Sequence, residues 1–565
     1  MRTNTVEYTR AETPYFKLNL QDMSKNCETF TLVWLDTNVK KERDNNDMQK
    51  KLRAIISFLI IFEDFDQCQT YINKHDKSKE NKLVLIVSGT YGLQIIEYVH
   101  ALQSVKAIYV YCMDKIKHEQ WAQKYEKIKA VVTTSSELIE RIRDDQVVRE
   151  QIEVSTMPIA IFNEKTHTNV DSENGNFMWL QLLIEVLLRM DQKENEQEEL
   201  LQICEKTHAD DQDQLQNIDE FRKFYSSNTA LRWYTRQSCF YRMLNQALRI
   251  KDIDMLFAFR FFIKDLHTNL TEMHKEQSQS PITQVYRCQL ISNDELDKIR
   301  SSLNQYVSMN SFLSTSFNQQ SALSFVSSTA STDQLRRVLF EINIDPTINT
   351  KPYADISKKS YFKNEREVLF FLGSIFQIID VRDDNGQVII VLNLCSEQNH
   401  KFKELFEHLK SKIGEKTDLA SFGSLLFQIS DYERSEKYYN RLLMTLEHNE
   451  YSSRASCYQG LGVIAKRQGL YDIAIKHNEE SLRLNLLLPN NYKNTAANYQ
   501  SLAVAYEGKE DYVNALKHFN NAVDMLTLFN NYMALDVYCI FSKLSKCVIC
   551  KLIFTQKILV KTIQT

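Results

Sequence analysis

The sequence predicts a multidomain protein, with an α/β doubly wound domain first, an α+β domain in the middle and an all-α repeat solenoid last. Three observations lead to this prediction: short apolar runs alternate with amphipathic stretches up to residue 143, polar residues interrupt apolar strands between residues 220 and 396, and an aromatic motif recurs after residue 430. The 565 residues are enough for several domains, since a domain typically has about 100 to 200 residues. The low content of 11 Gly and 6 Pro favours long helices.

Composition and charge exclude several classes of protein. Charged residues make up 25% and hydrophobic residues 43% of the chain, which excludes wholesale disorder and a fibrous repeat. The 69 basic residues against 73 acidic ones give a net charge of -4, without the basic excess of a nucleic-acid binder. The 11 cysteines are odd in number and scattered, which fits reduced thiols. Without a secretory signal or an apolar run of spanning length, the sequence predicts a cytoplasmic protein with no membrane span.

Residues 28–190 are predicted to form a flavodoxin-like α/β domain of unknown role. Apolar runs of five or six residues separated by helices are typical of a parallel sheet that is covered on both faces. The stretch alternates between predicted strands and helices at Phe30–Leu35, Met48–Leu59, Lys82–Val87, Leu93–Leu102, Ala107–Tyr111 and Ala130–Val132.

Polar residues follow the predicted strands of this domain. Asp36, Ser88–Gly92 and Asp114 stand where the carboxyl ends of the strands are expected, and doubly wound sheets bind ligands at those ends. Ser88 occupies the place where a phosphorylatable receiver domain would need an Asp, and the turn lacks the GxGxxG spacing of a dinucleotide site. We therefore expect this domain to recognise a partner or to regulate rather than to catalyse.

Residues 191–219 are predicted to be an acidic connector. Between Asp191 and Glu220 there are 11 acidic residues against two basic ones. A run of like charges is most often a solvated face, here expected to be helical, and acidic partner binding is the less frequent alternative.

Residues 415–550 contain an internal repeat. Tyr432, Tyr471 and Tyr512 stand in similar motifs at intervals of 39 and 41 residues, each with a small residue nine positions before it and another three positions after it. Small residues let two helices cross closely and an aromatic residue fills the gap between units, as in tetratricopeptide repeats. The period resembles that of kinesin light chain repeats, so we expect a solenoid that binds a peptide or protein. The pattern fades in a fourth unit near Met533, which leaves the completeness of the array open.

Polar residues fall inside the predicted strands of residues 220–396, where they need a chemical explanation. Arg287 lies within the apolar strand Val285–Ile291, and a cation there needs an anionic partner or a bound phosphate to offset its loss of hydration. Ser314 and Ser316 alternate along a second strand. Such alternation also occurs on strands without a function, so this motif alone does not decide between the two interpretations.

The motif Glu365-Arg366-Glu367 begins a third apolar strand. Alternation along a strand would send both carboxylates to one face, about 7 Å apart by the strand rise. The same pattern occurs at Glu194–Glu196 and Glu196–Glu198 in the acidic connector, where no strand surrounds it. Order and context therefore favour a site over the alternative, an exposed strand start.

In this order the segment resembles the arginine-specific mono-ADP-ribosyltransferases, whose active site is summarised as Arg, Ser and Glu-x-Glu on successive strands. Arg287, Ser314 and Glu367 match the three motifs with gaps of 27 and 53 residues. The resemblance covers residues 220–396 and implies that family's fold, NAD as the substrate, no metal, and a target protein that bears an acceptor arginine. The residues that match the family's amino-terminal helices are Tyr234, Thr235, Tyr241, Asn245 and Arg249.

The resemblance also implies a role for each residue of the motifs. Glu367 would stabilise the oxocarbenium-like charge that develops on the ribose as nicotinamide leaves. Arg287 would bind the pyrophosphate, and Ser314 would orient the ribose and the glutamate. Ser316 belongs to the same NAD-binding strand, and Phe317 would stack on nicotinamide.

The acceptor side of the site would depend on Glu365, which would hold and activate a guanidinium whose high pKa otherwise keeps it protonated. Tyr361 and Phe362, in the preceding loop, would contact the target protein. Two alternatives stay open: an NAD glycohydrolase, which does not need Glu365, and a non-catalytic adaptor that acts through its repeats. Intact Arg287, Ser314 and Glu367 argue against the adaptor. The sequence thus favours an NAD-dependent protein-arginine ADP-ribosyltransferase whose repeats select the target.

Overall fold

The computed structural model of the chain divides into two compact units. One unit comprises Met1–Leu188 and Gln192–Leu405, and the other comprises Arg189–Asp191 and Phe406–Thr565. The structure describes residues 29–37, 43–78, 82–155, 159–162, 173–190, 196–209, 211–236, 238–277, 281–326, 335–361, 366–384, 386–396, 417, 419–428 and 430–529.

Five parallel strands form the first sheet: β1 (Phe30–Leu35), β2 (Leu59–Phe62), β3 (Lys82–Ser88), β4 (Val105–Tyr111) and β5 (Ile128–Val132). They lie in the order β2-β1-β3-β4-β5, which is the flavodoxin-like arrangement. Side chains in β1 and in most of β3 are buried, because helices leave no face of the sheet to solvent.

Helices cover both faces of this sheet: α1 (Arg43–Arg53), α2 (Phe65–Ser78), α3 (Gly92–Val99), α4 (Lys115–Ala122) and α5 (Ser135–Ser155). Side chains of α1 and α5 share one hydrophobic core with Trp34 and Ile86. Side chains of α2, α3 and α4 share another with Leu35 and Val87, whose positions alternate with the first pair. The prediction of a doubly wound α/β domain is confirmed.

The segment after α1 differs from the prediction. The helical run predicted near Met48–Leu59 ends at Arg53, and Leu59–Phe62 pairs with β1 as a strand. A short apolar run carries little periodicity of its own, so its strand partner decides its conformation. At the carboxyl ends of the strands, Ser88 closes β3 and is buried, while the Asp114 side chain caps α4.

Nine strands form the second sheet: β6 (Ile159–Phe162), β7 (Gln284–Ser292), β8 (Tyr306–Met309), β9 (Leu313–Ser316), β10 (Leu335–Asn343), β11 (Tyr353–Asp355), β12 (Glu367–Phe370), β13 (Ile375–Asp384) and β14 (Gln387–Leu394). Their order is β11-β12-β9-β7-β10-β14-β13-β8-β6. The pair β10 and β14 is parallel, and the other described pairs are antiparallel. The apolar faces of these strands form the core of the α+β domain.

The helices of this domain lie mostly before its central strands: α6 (Glu173–Arg189), α7 (Glu196–Thr207), α8 (Gln212–Phe224), α9 (Ala230–Thr235), α10 (Cys239–Ile250), α11 (Ile253–Ala258), α12 (Arg260–Glu276), α13 (Asn293–Arg300) and α14 (Gln319–Phe325). Both β6 and α6 come from residues 28–190, which the sequence analysis assigned to the first domain. In the structure β6 pairs with β8, and Gln181 of α6 donates to the Gly373 carbonyl over 2.7 Å.

The acidic segment 191–219 is helical where the structure describes it, but it is not simply solvated. Leu200 and Leu201 of α7 are fully buried. Arg260 of α12 pairs with Glu196 and Glu199 at 3.0 and 3.1 Å. A buried guanidinium held by two carboxylates lets this acidic helix pack against the domain, which a count of like charges does not predict.

Six helices form the second unit in the described part: α15 (Leu419–Gln428), α16 (Tyr432–Thr445), α17 (Tyr451–Arg467), α18 (Tyr471–Leu486), α19 (Tyr492–Gly508) and α20 (Tyr512–Phe529). Gly462 acts as predicted, because a Cβ there would lie 2.6 Å from Asn478 of the next helix. Gly508, which the prediction did not include, likewise leaves no room for a Cβ beside the Tyr471 ring. The all-α repeat prediction is confirmed. The fourth unit predicted near Met533 lies outside the described residues.

Among the described helices, none is long and apolar enough to cross a membrane. The cytoplasmic location stays a prediction.

Candidate active site

Strand pairing aligns the serines with Glu367. In the antiparallel pair of β9 and β12, Ser316 lies opposite Glu367 and Ser314 lies opposite Leu369. Residues that face each other in this way share one side of the sheet, with Cβ atoms about 4.5 to 5.5 Å apart. Because positions along a strand alternate between faces, Ser314, Ser316 and Glu367 lie on the same face. Thr315 points to the other face, where its Oγ1 donates to the Val368 carbonyl over 2.8 Å.

Arg287 lies where β7 meets β9. The structure records a single residue pair between these strands, Tyr286 opposite Ser316, whereas β9 and β12 pair over four residues. The Arg287 side chain is 5% exposed, and its Nη1 donates to the Ser314 carbonyl over 2.7 Å. Burial lowers the pKa of Arg287, while the nearby Glu367 acts in the opposite direction. The guanidinium thus reaches the serine strand from a buried position, and Glu367 acts on it electrostatically.

Gln289 holds the other side of this guanidinium. Its Oε1 accepts from Arg287 Nε over 3.2 Å, and its side chain is fully buried. Gln289 Nε2 finds no hydrogen-bond partner among the described atoms. The amide therefore orients the arginine and leaves a buried donor beside it, a feature that the sequence analysis did not single out.

Two tyrosines from the preceding helices border the site. Tyr234 of α9 and Tyr241 of α10 lie 5.4 Å apart between ring centroids, and Tyr234 packs on Phe312 at 4.7 Å. Burial raises the pKa of both phenols, Glu367 raises it further, and Arg287 lowers it. The hydroxyls therefore stay neutral beside both charged groups. The sequence analysis named these tyrosines for their place in the helices and gave them no part in the site.

The rest of the predicted helical series divides between two tasks. Tyr241, Asn245 and Arg249 stand on α10 at the predicted spacing. Asn245 Oδ1 accepts from the Tyr234 hydroxyl over 3.4 Å, which ties α10 to α9. Arg249 Nη1 donates to Thr29 Oγ1 over 3.2 Å and so reaches the residue that precedes the first sheet.

Phe317 follows β9 and packs partly against the core of the second sheet. The guanidinium of exposed Arg366 lies 5.3 Å from its ring centroid. The guanidinium of Arg366 thus covers one face of the Phe317 ring, as a cation attracted to an aromatic face does. The predicted stacking on nicotinamide stays a prediction.

The loop before Glu367 is described only in part. Glu365 and Phe362 lie outside the described residues, so the predicted spacing of the two carboxylates stays a prediction. Tyr361 is described: its backbone N–H donates to Thr235 Oγ1 over 2.8 Å, and its ring is 42% exposed. The start of the loop is thereby fixed to α9.

Metal binding has no support in the described part of the chain, where no three His, Cys, Asp or Glu side chains are placed to hold an ion. The polar groups of the site are the guanidinium of Arg287, the serine and tyrosine hydroxyls and the carboxylate of Glu367. This set suits an anionic, hydroxyl-rich substrate such as a dinucleotide.

Residues 185–400 match the model of the family described as NAD:arginine ADP-ribosyltransferase, and residues 453–527 match that of the tetratricopeptide repeat. No curated protein matches the chain.

Several solved structures are similar to the chain. HopU1, an ADP-ribosyltransferase of Pseudomonas syringae pv. tomato, has 17% identity and a TM-score of 0.26, with 37% of this chain and 100% of that chain covered. The Vis toxin, an ADP-ribosyltransferase from Vibrio splendidus, has 17% identity and a TM-score of 0.22, with 42% and 91% covered. The C3 exoenzyme of Clostridium limosum has 19% identity and a TM-score of 0.21, with 31% and 90% covered.

The family matches confirm the resemblance predicted from the sequence: the middle segment is similar to the NAD:arginine ADP-ribosyltransferases, and the carboxyl-terminal helices are similar to tetratricopeptide repeats.

Proposed function

We propose that the chain is an NAD-dependent mono-ADP-ribosyltransferase that transfers ADP-ribose to arginine side chains of target proteins and releases nicotinamide. The observation that carries the proposal is the common face of Ser314, Ser316 and Glu367, with buried Arg287 donating to the same strand. The match of residues 185–400 to the family supports a transferase that uses NAD. The repeats would select the target, because tetratricopeptide solenoids bind peptides and proteins.

Glu367 would act on the bond that breaks. When the bond between ribose C1′ and the nicotinamide nitrogen opens, its electron pair leaves with nicotinamide and positive charge develops on the sugar ring. A carboxylate close to that charge stabilises it, as in glycoside hydrolysis. Ser314 and Ser316, on the same face, would hold the ribose and Glu367 in register, and Phe317 would stack on the leaving nicotinamide.

Arg287 would hold the pyrophosphate. Its planar fork suits phosphate oxygens, and Gln289 and the Ser314 carbonyl already fix its orientation before the substrate arrives. Tyr234 and Tyr241 would shield this region from water, which would strengthen the attraction between the guanidinium and a phosphate. Their neutral hydroxyls add no competing charge.

Glu365 would prepare the acceptor. An arginine guanidinium is protonated at neutral pH and has no electron pair to attack with. Glu365 would accept its proton while the guanidinium nitrogen forms the new bond to C1′. This role rests on the two-residue spacing from Glu367 and on the family resemblance.

The test uses the full chain, NAD labelled in its adenylate part, and agmatine as a small guanidinium acceptor. Nicotinamide and ADP-ribosylated agmatine are measured separately. We expect both products in equal amounts at saturating agmatine. Release of nicotinamide without labelling of agmatine would instead identify an NAD glycohydrolase. If neither product forms, the non-catalytic adaptor remains as the explanation.

A further inference from the structure

Two arginine side chains lie over the ring of Tyr361, where the chain enters the loop that precedes Glu367. The Cζ atoms of Arg232 and Arg236 lie 5.6 and 5.8 Å from the centroid of this ring. Two lysines stand three and two residues before the tyrosine, the first exposed and the second half-buried. We call these four cations the basic patch: Arg232, Arg236, Lys358 and Lys359.

Most of the charge of the basic patch has no counter-ion among the described residues. The carboxylate of Glu220 is the counter-ion of Arg236, with Oε2 and Nη1 2.8 Å apart. The nearby Asp355 carboxylate accepts from the backbone N–H of Ser357 over 3.0 Å and forms no ion pair with a described residue. In the described part of the chain, no carboxylate forms an ion pair with the remaining three cations, Arg232, Lys358 and Lys359.

The arrangement around the tyrosine calls for an anion from outside. Each guanidinium is attracted to the ring of Tyr361, yet the two repel one another as like charges. An anionic group above this exposed ring would be attracted by both. The hydrogen bond from the backbone N–H of Tyr361 to Thr235 holds the backbone at this position, and the two guanidinium groups lie over the ring, so a partner would meet a preformed surface. The chain as a whole carries a net charge of -4, so the patch is a local feature.

We propose that the basic patch docks an acidic segment of the target protein, so that the enzyme prefers an acceptor arginine flanked by Asp and Glu. The inference rests on the proposed function and names the substrate class of that same site. Arg366, which is exposed and stands just before Glu367, would add a further positive charge on the side where the acceptor arginine binds. Complementary charge of this kind speeds encounter and fixes orientation, and salt weakens it.

The experiment compares three acceptors with the full chain and saturating NAD. Agmatine reports the chemistry alone, one peptide places a single arginine among Asp and Glu, and a second replaces those residues with Asn and Gln. We expect kcat/KM for the acidic peptide to exceed that for the amide peptide by about tenfold at low salt, the scale of several exposed charge pairs acting together. The ratio should fall towards one as the salt concentration rises to about 0.5 M.

Charge reversal then assigns the preference to the basic patch. The variants Arg232→Glu and Lys358→Glu should each lower the ratio of the two peptides by about threefold, and Lys358→Arg, which keeps the charge, should retain it. The matched control Lys124→Glu reverses an exposed lysine of the first domain and should leave the ratio unchanged. Turnover of agmatine by each variant shows whether that variant has folded. If Arg232→Glu does not fold, the result for Lys358→Glu serves as the test.

The outcomes separate the inference from the proposed function. Equal use of the two peptides, a preference that salt does not change, or a preference that survives charge reversal would overturn the docking surface while agmatine is still modified. If agmatine is not modified at all, the proposed function fails and the inference fails with it.

Discussion

In the five-stranded sheet, residues Leu83–Val87 of the internal strand β3 are apolar, with exposures of 0 or 1%. In the nine-stranded sheet, the internal strand β7 buries Arg287 and Gln289 among its apolar residues, at 5 and 0% exposure. A buried guanidinium and amide cost free energy unless they are hydrogen-bonded, whereas buried aliphatic side chains stabilise the fold directly. The difference between these two strands therefore favours the second sheet as the place of the proposed chemistry.

The largest effect is expected for Glu367→Gln. This change keeps the side-chain shape but removes the charge that faces the developing oxocarbenium ion, so hydrolysis of NAD and transfer to agmatine should both fall by roughly 10²-fold or more. Assays of nicotinamide release and of labelled agmatine measure the two activities. The control Glu341→Gln alters a partly exposed carboxylate of β10 that pairs with Arg382, and it should leave both rates nearly unchanged. Comparable losses in both variants would contradict the role of Glu367.

Glu365→Gln should separate the two activities. The charge at Glu367 remains, so nicotinamide release into water should persist, while labelling of agmatine should fall by about 10²-fold because the acceptor keeps its proton. The same two-product assay measures the effect. Loss of hydrolysis as severe as that in Glu367→Gln would refute this division between the two glutamates.

In the first sheet, Leu85→Ala should act on stability alone. Leu85 is almost fully buried, so the truncation should lower the free energy of unfolding by about 2 to 5 kcal/mol, as measured by urea denaturation. Turnover of agmatine by the protein that remains folded should match that of the unchanged chain. A large fall in kcat at full folding would show that the first sheet takes part in the reaction.

Arg287→Lys should act mainly on the binding of NAD. An ammonium group cannot reproduce the planar fork, so the affinity should weaken by about 1 to 3 kcal/mol, which is roughly 5- to 150-fold. Isothermal titration with NAD measures the change. An unchanged dissociation constant would remove Arg287 from the NAD site.

The smallest effect is expected for Ser88→Ala at the carboxyl end of β3. The Ser88 hydroxyl is buried and has no hydrogen-bond partner among the described atoms, so its removal should change the free energy of unfolding by less than about 1 kcal/mol. Urea denaturation measures this as well. A destabilisation of more than about 2 kcal/mol would show that the hydroxyl is hydrogen-bonded. The first sheet would then also hold a buried, bonded polar group, as the second does.

The sequence predicted those features whose signal is local. The apolar runs at Phe30–Leu35 and Lys82–Val87 became β1 and most of β3, as expected for continuous apolar runs of this length that alternate with helices. Alternation along one strand predicts that Ser314 and Ser316 share a face, whereas the pairing of β9 with β12 decides that Glu367 lies on the same face.

Features that depend on distant partners could not be predicted. The strand Ile159–Phe162 carries no sign of which sheet it joins, and pairing with β8 decides it. The approach of Tyr234 to Arg287 depends on how α9 packs against the strands, and the stacking of Arg366 on Phe317 depends on a side-chain rotamer. Gln289 reads as part of an apolar strand until the neighbouring guanidinium is placed beside it.

The most direct test of the proposed NAD site is a structure of the full chain with a non-hydrolysable NAD analogue. We expect the dinucleotide to bind on the shared face of β9 and β12, with the pyrophosphate at Arg287 and the nicotinamide ribose beside Glu367 and Ser314. The analogue bound instead at the carboxyl ends of β1 and β3, beside Ser88, would contradict it.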